Sequence, residues 1–73
     1  MNASDRERQR AERLARITRL AEEVWDDCDL AREFVTSAQP QLGGRKPIEL
    51  MGTDLEARQV ERLLLRLEWS LSV

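Results

Sequence analysis

Pro40-Gln41-Leu42-Gly43-Gly44-Arg45-Lys46-Pro47-Ile48-Glu49-Leu50-Met51 lies between two strongly helical segments, and its reading decides the fold. Gly43 and Gly44 let the backbone visit positive φ, and Pro47 fixes φ for the first turn of a new helix. Ordinary helix connections need neither device, so this loop holds a set geometry. Leu42, Gly43, Gly44 and Pro47 are therefore candidate structural-turn residues. Leu42-Gly43-Gly44-Arg45-Lys46 also invites comparison with a phosphate-binding loop, but it lacks the Walker spacing and no strand pattern precedes it. A turn carrying two basic residues is the better reading.

Towards the N-terminus, Gln39-Pro40 ends a short helix, because the residue before a proline avoids the α region. That helix spans about Asp29 to Ser37 and is expected to bury Leu30 and Phe34, with Ala31 beside them. Asp26, Asp27 and Asp29 break the helix before it and can cap this one, since short carboxylates accept the free N–H groups of a helix start. The first helix is expected to open at Ser4, which with Glu7 makes a Ser-x-x-Glu capping box. Its apolar stripe is Leu14, Ile17, Ala21, Val24 and Cys28, in steps of three and four that share one face. Leu20 and Trp25 flank it. Carried backwards, the same face reaches Arg10 and Arg6, which leaves the first two turns nothing to bury. They either project beyond the core or lie against something outside the domain.

Towards the C-terminus, a short third helix is expected to start near Pro47, bury Ile48 with Met51 or Leu50, and stop at Gly52. Thr53-Asp54-Leu55-Glu56 is a second capping box and opens the last long helix. Ala57, Val60, Leu63, Leu64, Leu67 and Leu71 fall within about 120° of its wheel, a wide core face. Leu65 and Trp69 sit roughly opposite, one turn apart, with Arg58, Arg62 and Arg66 around them. Exposed apolar pairs rimmed by arginine have the composition of binding hot spots. The competing explanation is a helix buried on two sides in a very small bundle. The fold read from these patterns is all-α, a compact bundle of about four helices, two long (first and last) and two short.

At 73 residues the chain makes one domain, and a marginal one, since a chain this short buries only about 60% of its unfolded surface. Cys28 is the sole cysteine, so no disulfide braces the fold, and its spacing reads as a small core residue. With no histidine and one cysteine a zinc site is excluded by ligand count, and no calcium-loop spacing is present. No cofactor is expected. An enzyme is not expected either: there is no histidine or tyrosine, no serine with a suitable base, and the paired carboxylates Glu22/Glu23 and Asp26/Asp27 point in different directions. Without a long apolar run or signal-peptide pattern, the expected location is the cytoplasm, with no membrane partner.

Net charge is −2, unevenly placed. Arg6, Arg8, Arg10, Arg13, Arg16 and Arg19 crowd the first 20 residues, while Glu22, Glu23, Asp26, Asp27, Asp29 and Glu33 follow. Arg6, Arg10 and Arg13 are the candidate contacts to nucleic acid or an acidic partner. Intrahelical Glu–Arg pairs on a solvated face are the simpler account.

The ordered words around the glycine turn carry a resemblance. Ala31, Phe34 and Val35 end the helix before it, and Thr53, Ala57, Val60, Glu61, Leu63 and Leu64 follow. From about Val24 to Val73 the chain resembles the toxin-binding domain of the Xre/MbcA/ParS antitoxins, bacterial proteins that silence a RES-domain toxin. The resemblance divides the chain into a basic N-terminal helix, residues 1–23, and a toxin-binding domain, residues 24–73. It implies a protein that neutralises an NAD-degrading enzyme by covering or entering its NAD cleft with the C-terminal part of the antitoxin. On that basis the toxin-binding residues are Arg62, Leu65, Arg66, Trp69, Ser70, Leu71, Ser72 and Val73. The resemblance further implies that Trp69 and Leu71 serve as apolar anchors, and on it rests the expectation that the terminal carboxylate of Val73 mimics an anionic group of NAD by engaging a toxin arginine.

Two departures from the family pattern stand out: Glu56 and Ser70 occupy positions where relatives usually carry glycine. A third concerns DNA. Such antitoxins commonly carry an N-terminal helix-turn-helix, and about 23 residues before the match suffice for one helix only. A small nucleic-acid-binding or transcriptional regulatory protein acting through its Arg-rich first helix is the alternative reading. Self-association through Leu65 and Trp69, giving a homo-oligomer, is the third.

Overall fold

Three α-helices and two single 3₁₀ turns make up the computed structural model, which describes residues 3–72 and the side chains of residues 4–70. In chain order these are α1 (Ala3–Trp25), α2 (Cys28–Thr36), the 3₁₀ turns Pro40–Leu42 and Pro47–Leu50, and α3 (Asp54–Ser72). The all-α class holds, with no strand among the described residues beyond one isolated antiparallel bridge, Gln39 to Arg45. The helix count is three and not four. The segment Pro47–Leu50 is only four residues long and proline supplies no N–H, so the expected third helix closes as a tighter 3₁₀ turn.

α1 ends where Asp26 takes φ 52°, a left-handed conformation that aspartate tolerates better than most residues. Asp27 then caps α2: its Oδ1 accepts from the N–H groups of Asp29 (2.8 Å) and Leu30 (3.1 Å). This break corrects two expectations, and the start of α1 a third. Cys28 is the first residue of α2, not the last of the α1 stripe, and its thiol is exposed. Leu30 is 45% exposed, and the residues that α2 buries are Ala31, Phe34 and Val35, one helical face at spacings of three and one. Ser4 lies within α1, which already runs from Ala3, so it does not mark the helix start.

The core is a single cluster of Ile17 and Ala21 from α1, Ala31, Phe34 and Val35 from α2, Leu50 and Met51 from the second 3₁₀ turn, and Ala57, Val60, Leu63 and Leu64 from α3. Leu14, Leu20, Val24, Trp25, Leu42 and Leu67 pack around it. Trp25 meets Phe34 with ring centroids 5.2 Å apart and planes tilted by 43°, a favourable offset arrangement. Pro47 is buried, but Ile48 beside it is exposed, contrary to expectation. In a 3₁₀ turn side chains repeat every three residues, so Pro47 and Leu50 share the inner side and Ile48 falls outside.

Among the described side chains, none of α1 before Leu14 joins the core. At 1.5 Å per residue α1 is about 34 Å long, and its N-terminal turns extend past the bundle. The extents of 44 × 23 × 17 Å and a radius of gyration of 12.3 Å, against about 11 Å for a compact chain of this length, reflect that projection.

Candidate functional site

The glycine turn sets the site's first wall. Gly43 (φ 69°) and Gly44 (φ 79°) both occupy the left-handed region, where a Cβ is strained. The loop is closed by hydrogen bonds from the Leu42 and Gly44 N–H groups to the Gln39 carbonyl, each 2.9 Å, and from the Gly43 N–H to the Pro40 carbonyl at 3.1 Å. The Gln39 N–H in turn donates to the Arg45 carbonyl (3.1 Å). The Gln39 carboxamide ties the loop to the end of α2 by donating to the Phe34 carbonyl (3.2 Å). Gln41 and Leu42 are thereby held against α3.

α3 supplies the second wall. The Glu56 N–H donates to Thr53 Oγ1 (3.2 Å), and that hydroxyl donates to Glu56 Oε1 (3.4 Å). Glu56 Oε2 also lies 3.8 Å from Arg45, joining the cap to the glycine turn. Glutamate here thus has a mechanical use that glycine lacks. With Ala57, Val60, Leu63 and Leu64 buried, the register of α3 is fixed, and its other side faces outward.

On that outer side Trp69 is 72% exposed and Leu65 53% exposed. Leu55, 70% exposed, stands seven and fourteen residues before Arg62 and Trp69 and so falls on the same strip. Sequence reading assigned Leu55 only to the cap; its sevenfold spacing from Arg62 and Trp69 was the available signal. Arg58, Arg62 and Arg66 are exposed around these apolar residues, and none reaches a carboxylate among the described residues. Ser70 is exposed. α3 continues through Leu71 and Ser72, but their side chains, and Val73 as a whole, lie outside the described residues.

Gln41 and Leu42 from the turn, with Gln59, Arg62, Leu63 and Arg66 from α3, enclose a groove of about 310 Å³. The glutamines were not singled out from the sequence, because nothing local marks a residue that becomes a groove wall.

The basic residues of α1 divide. Arg6 and Arg10 are exposed. Arg13 is not available to an outside partner: its side chain is only 15% exposed and its Nε donates to Asp54 Oδ1 at 2.9 Å. Its Nη1 donates to the carbonyls of Met51 (3.2 Å) and Gly52 (3.3 Å). Arg13 thus locks α1 onto the N-terminus of α3. The hydrogen bond from Arg13, and then its charge, hold the Asp54 carboxyl below its ordinary value, with Arg16 and Arg58 contributing less and desolvation opposing. Arg16 pairs with Glu61 (3.0 Å) and Arg8 with Asp5 (2.9 Å). No cluster of three or more metal-ligating side chains exists among the described residues.

The profile of the antitoxin Xre/MbcA/ParS C-terminal toxin-binding domain matches residues 20–69, which take in the last part of α1, α2, the glycine turn and nearly all of α3. The chain belongs to this family. No curated protein matches it. Membership makes it the toxin-binding domain of an antitoxin and implies a regulatory role within a toxin–antitoxin system. No helix among the described residues is long and apolar enough to cross a membrane.

Proposed function

We propose that this antitoxin domain neutralises a RES-domain, NAD-degrading toxin by laying the outer side and C-terminal turns of α3 over the toxin's NAD site. The observation that carries the reading is the division of α3 into two faces. One fills the core, and the other exposes Leu65 and Trp69 beside Arg62 and Arg66, which reach no carboxylate among the described residues. A tryptophan 72% exposed on a helix already anchored by four buried residues contributes little to this fold. Burying it in a partner's cleft supplies apolar contact, and arginines at the rim steer the approach. Arg62, Leu65, Arg66, Trp69 and Ser70 form the described part of this surface, and Leu71, Ser72 and Val73, next in the chain, are assigned to the same contact by the family resemblance.

Co-expression with a RES-domain protein tests the reading. A stable complex, rescued growth and preserved cellular NAD are expected, and Trp69→Ala should abolish the rescue while the variant stays folded. Continued NAD loss in cells that hold the wild-type chain in excess would sink the proposal.

Nucleic-acid binding through α1 has a narrower basis. Arg6 and Arg10 stand on turns that carry no core residue, but Arg13 is engaged within the molecule. What remains supports only salt-sensitive phosphate contact. A band retarded on DNA at low salt and lost in Arg6→Gln/Arg10→Gln would revive that account.

A further inference from the structure

Two arginines of α1 meet carboxylates of α3: Arg13 meets Asp54 and Arg16 meets Glu61. Arg62 and Arg66 differ. They stand one helical turn apart along the groove opposite Gln41 and Leu42, and no carboxylate reaches either among the described residues. Like charges at this spacing repel, so the groove carries an electrostatic cost that an incoming anion would relieve. Its floor includes Leu63, which is buried, and half-buried Leu42, so a charge seated there is less screened than one on an open surface. The carboxamides of Gln41 and Gln59 add donors and acceptors at the rim, which suit a carboxylate flanked by peptide groups.

We propose that this groove receives an acidic side chain from a segment of the toxin, as a contact separate from the apolar one made by Leu65 and Trp69. The proposal rests on the toxin-binding reading above. Its size points to such an occupant: about 310 Å³ is at the lower end of ligand-binding clefts, room for an acidic side chain and its neighbour. Charge points the same way. A chain of net charge −2 with six carboxylates between Glu22 and Glu33 repels a phosphate backbone as a whole, while two arginines on one groove can still select a local carboxylate. The positive φ of Gly43 and Gly44 gives the turn its function here, because it fixes the Gln41–Leu42 wall against α3.

Titration calorimetry of the full chain against the RES-domain protein of the co-expression test, from low to high salt, tests this. The double variant Arg62→Gln/Arg66→Gln should bind about tenfold more weakly or worse at low salt and lose most of the salt dependence. Its melting temperature should stay close to that of the parent. Trp69→Ala should weaken binding at every salt concentration and keep the salt dependence. Binding of the double variant within about twofold of the parent, with the complex intact, overturns the groove and leaves the toxin reading standing. Absence of any complex with the parent chain overturns both. Formation of a dimer by the chain alone, or retention of a duplex DNA, that the double variant abolishes would assign the groove to another occupant and overturn the proposal too.

Discussion

The N-terminal half of α1 and the outer side of α3 are both exposed, helical and rich in arginine, yet they differ in what accompanies the charge. On α1 no exposed large apolar residue stands among the charges, and Arg8 and Arg13, like Arg16 just beyond, already have carboxylates. On α3 the neighbours are Leu55, Leu65 and Trp69, and Arg62 and Arg66 reach no carboxylate among the described residues. Arginine content therefore does not separate a solvated helix from a binding surface. Its apolar company and unmet charge do.

The two sides of α3 offer the sharpest way to break this comparison, because Leu64 and Leu65 are sequence neighbours with opposite fates. Leu64 is fully buried, so Leu64→Ala should cost about 3 kcal/mol. In a domain of this size that is a large part of the total stability, and chemical denaturation should show it. Leu65→Ala should change stability by less than about 0.5 kcal/mol. Equal losses at the two positions would mean that the outer side is also a packing surface.

Next comes the exposed indole. Trp69→Ala should weaken toxin binding by about 2 kcal/mol or more, read by calorimetry, and leave the unfolding midpoint in place. A fall in the midpoint with unchanged affinity would reverse the roles assigned to the two sides.

Within α1, Arg13 and Arg10 make the matching contrast. Arg13 donates to two carbonyls and its stem is packed, so Arg13→Ala should destabilise by about 2 kcal/mol, and Arg10→Ala should not. The partner of Arg13 adds a pH signature. The Asp54 carboxyl is held below its ordinary value in the folded chain, chiefly by the hydrogen bond from Arg13. The folded state therefore binds that proton less readily than the unfolded one. The resulting stability is present above the unfolded value, near 3.8, and is lost as pH falls through the lower folded value. Melting curves in this acid range should be flatter for Asp54→Asn than for the parent.

The smallest effect belongs to the projecting turns. Removing residues 1–8 should move stability by less than about 0.5 kcal/mol, since none of the described side chains among them, Ser4 to Arg8, joins the core. A clear drop in melting temperature would show that these turns support the bundle.

Much of this was legible in the chain. Capping boxes, proline and glycine positions and apolar spacing are local signals, set within one turn of backbone, and they located the helical segments and the opening of α3 at Thr53. The same spacing separated Ala57, Val60, Leu63 and Leu64 from Leu65 and Trp69. It failed at Cys28, Leu30 and Ile48 because a one-residue change at a helix break, or a 3₁₀ turn in place of an α turn, rotates every side chain after it.

The sequence by itself determined an all-helical chain with one helix apolar on two sides, because hydrophobic periodicity is a property of neighbours along the backbone. Only the tertiary structure decided which arginines are occupied and which remain open. Arg13 meets Asp54 across 41 residues, and Gln41 comes to face Gln59, Arg62 and Arg66, through packing angles that no local pattern encodes. Charge pairing depends on distance in space, and that distance exists only after the core has closed.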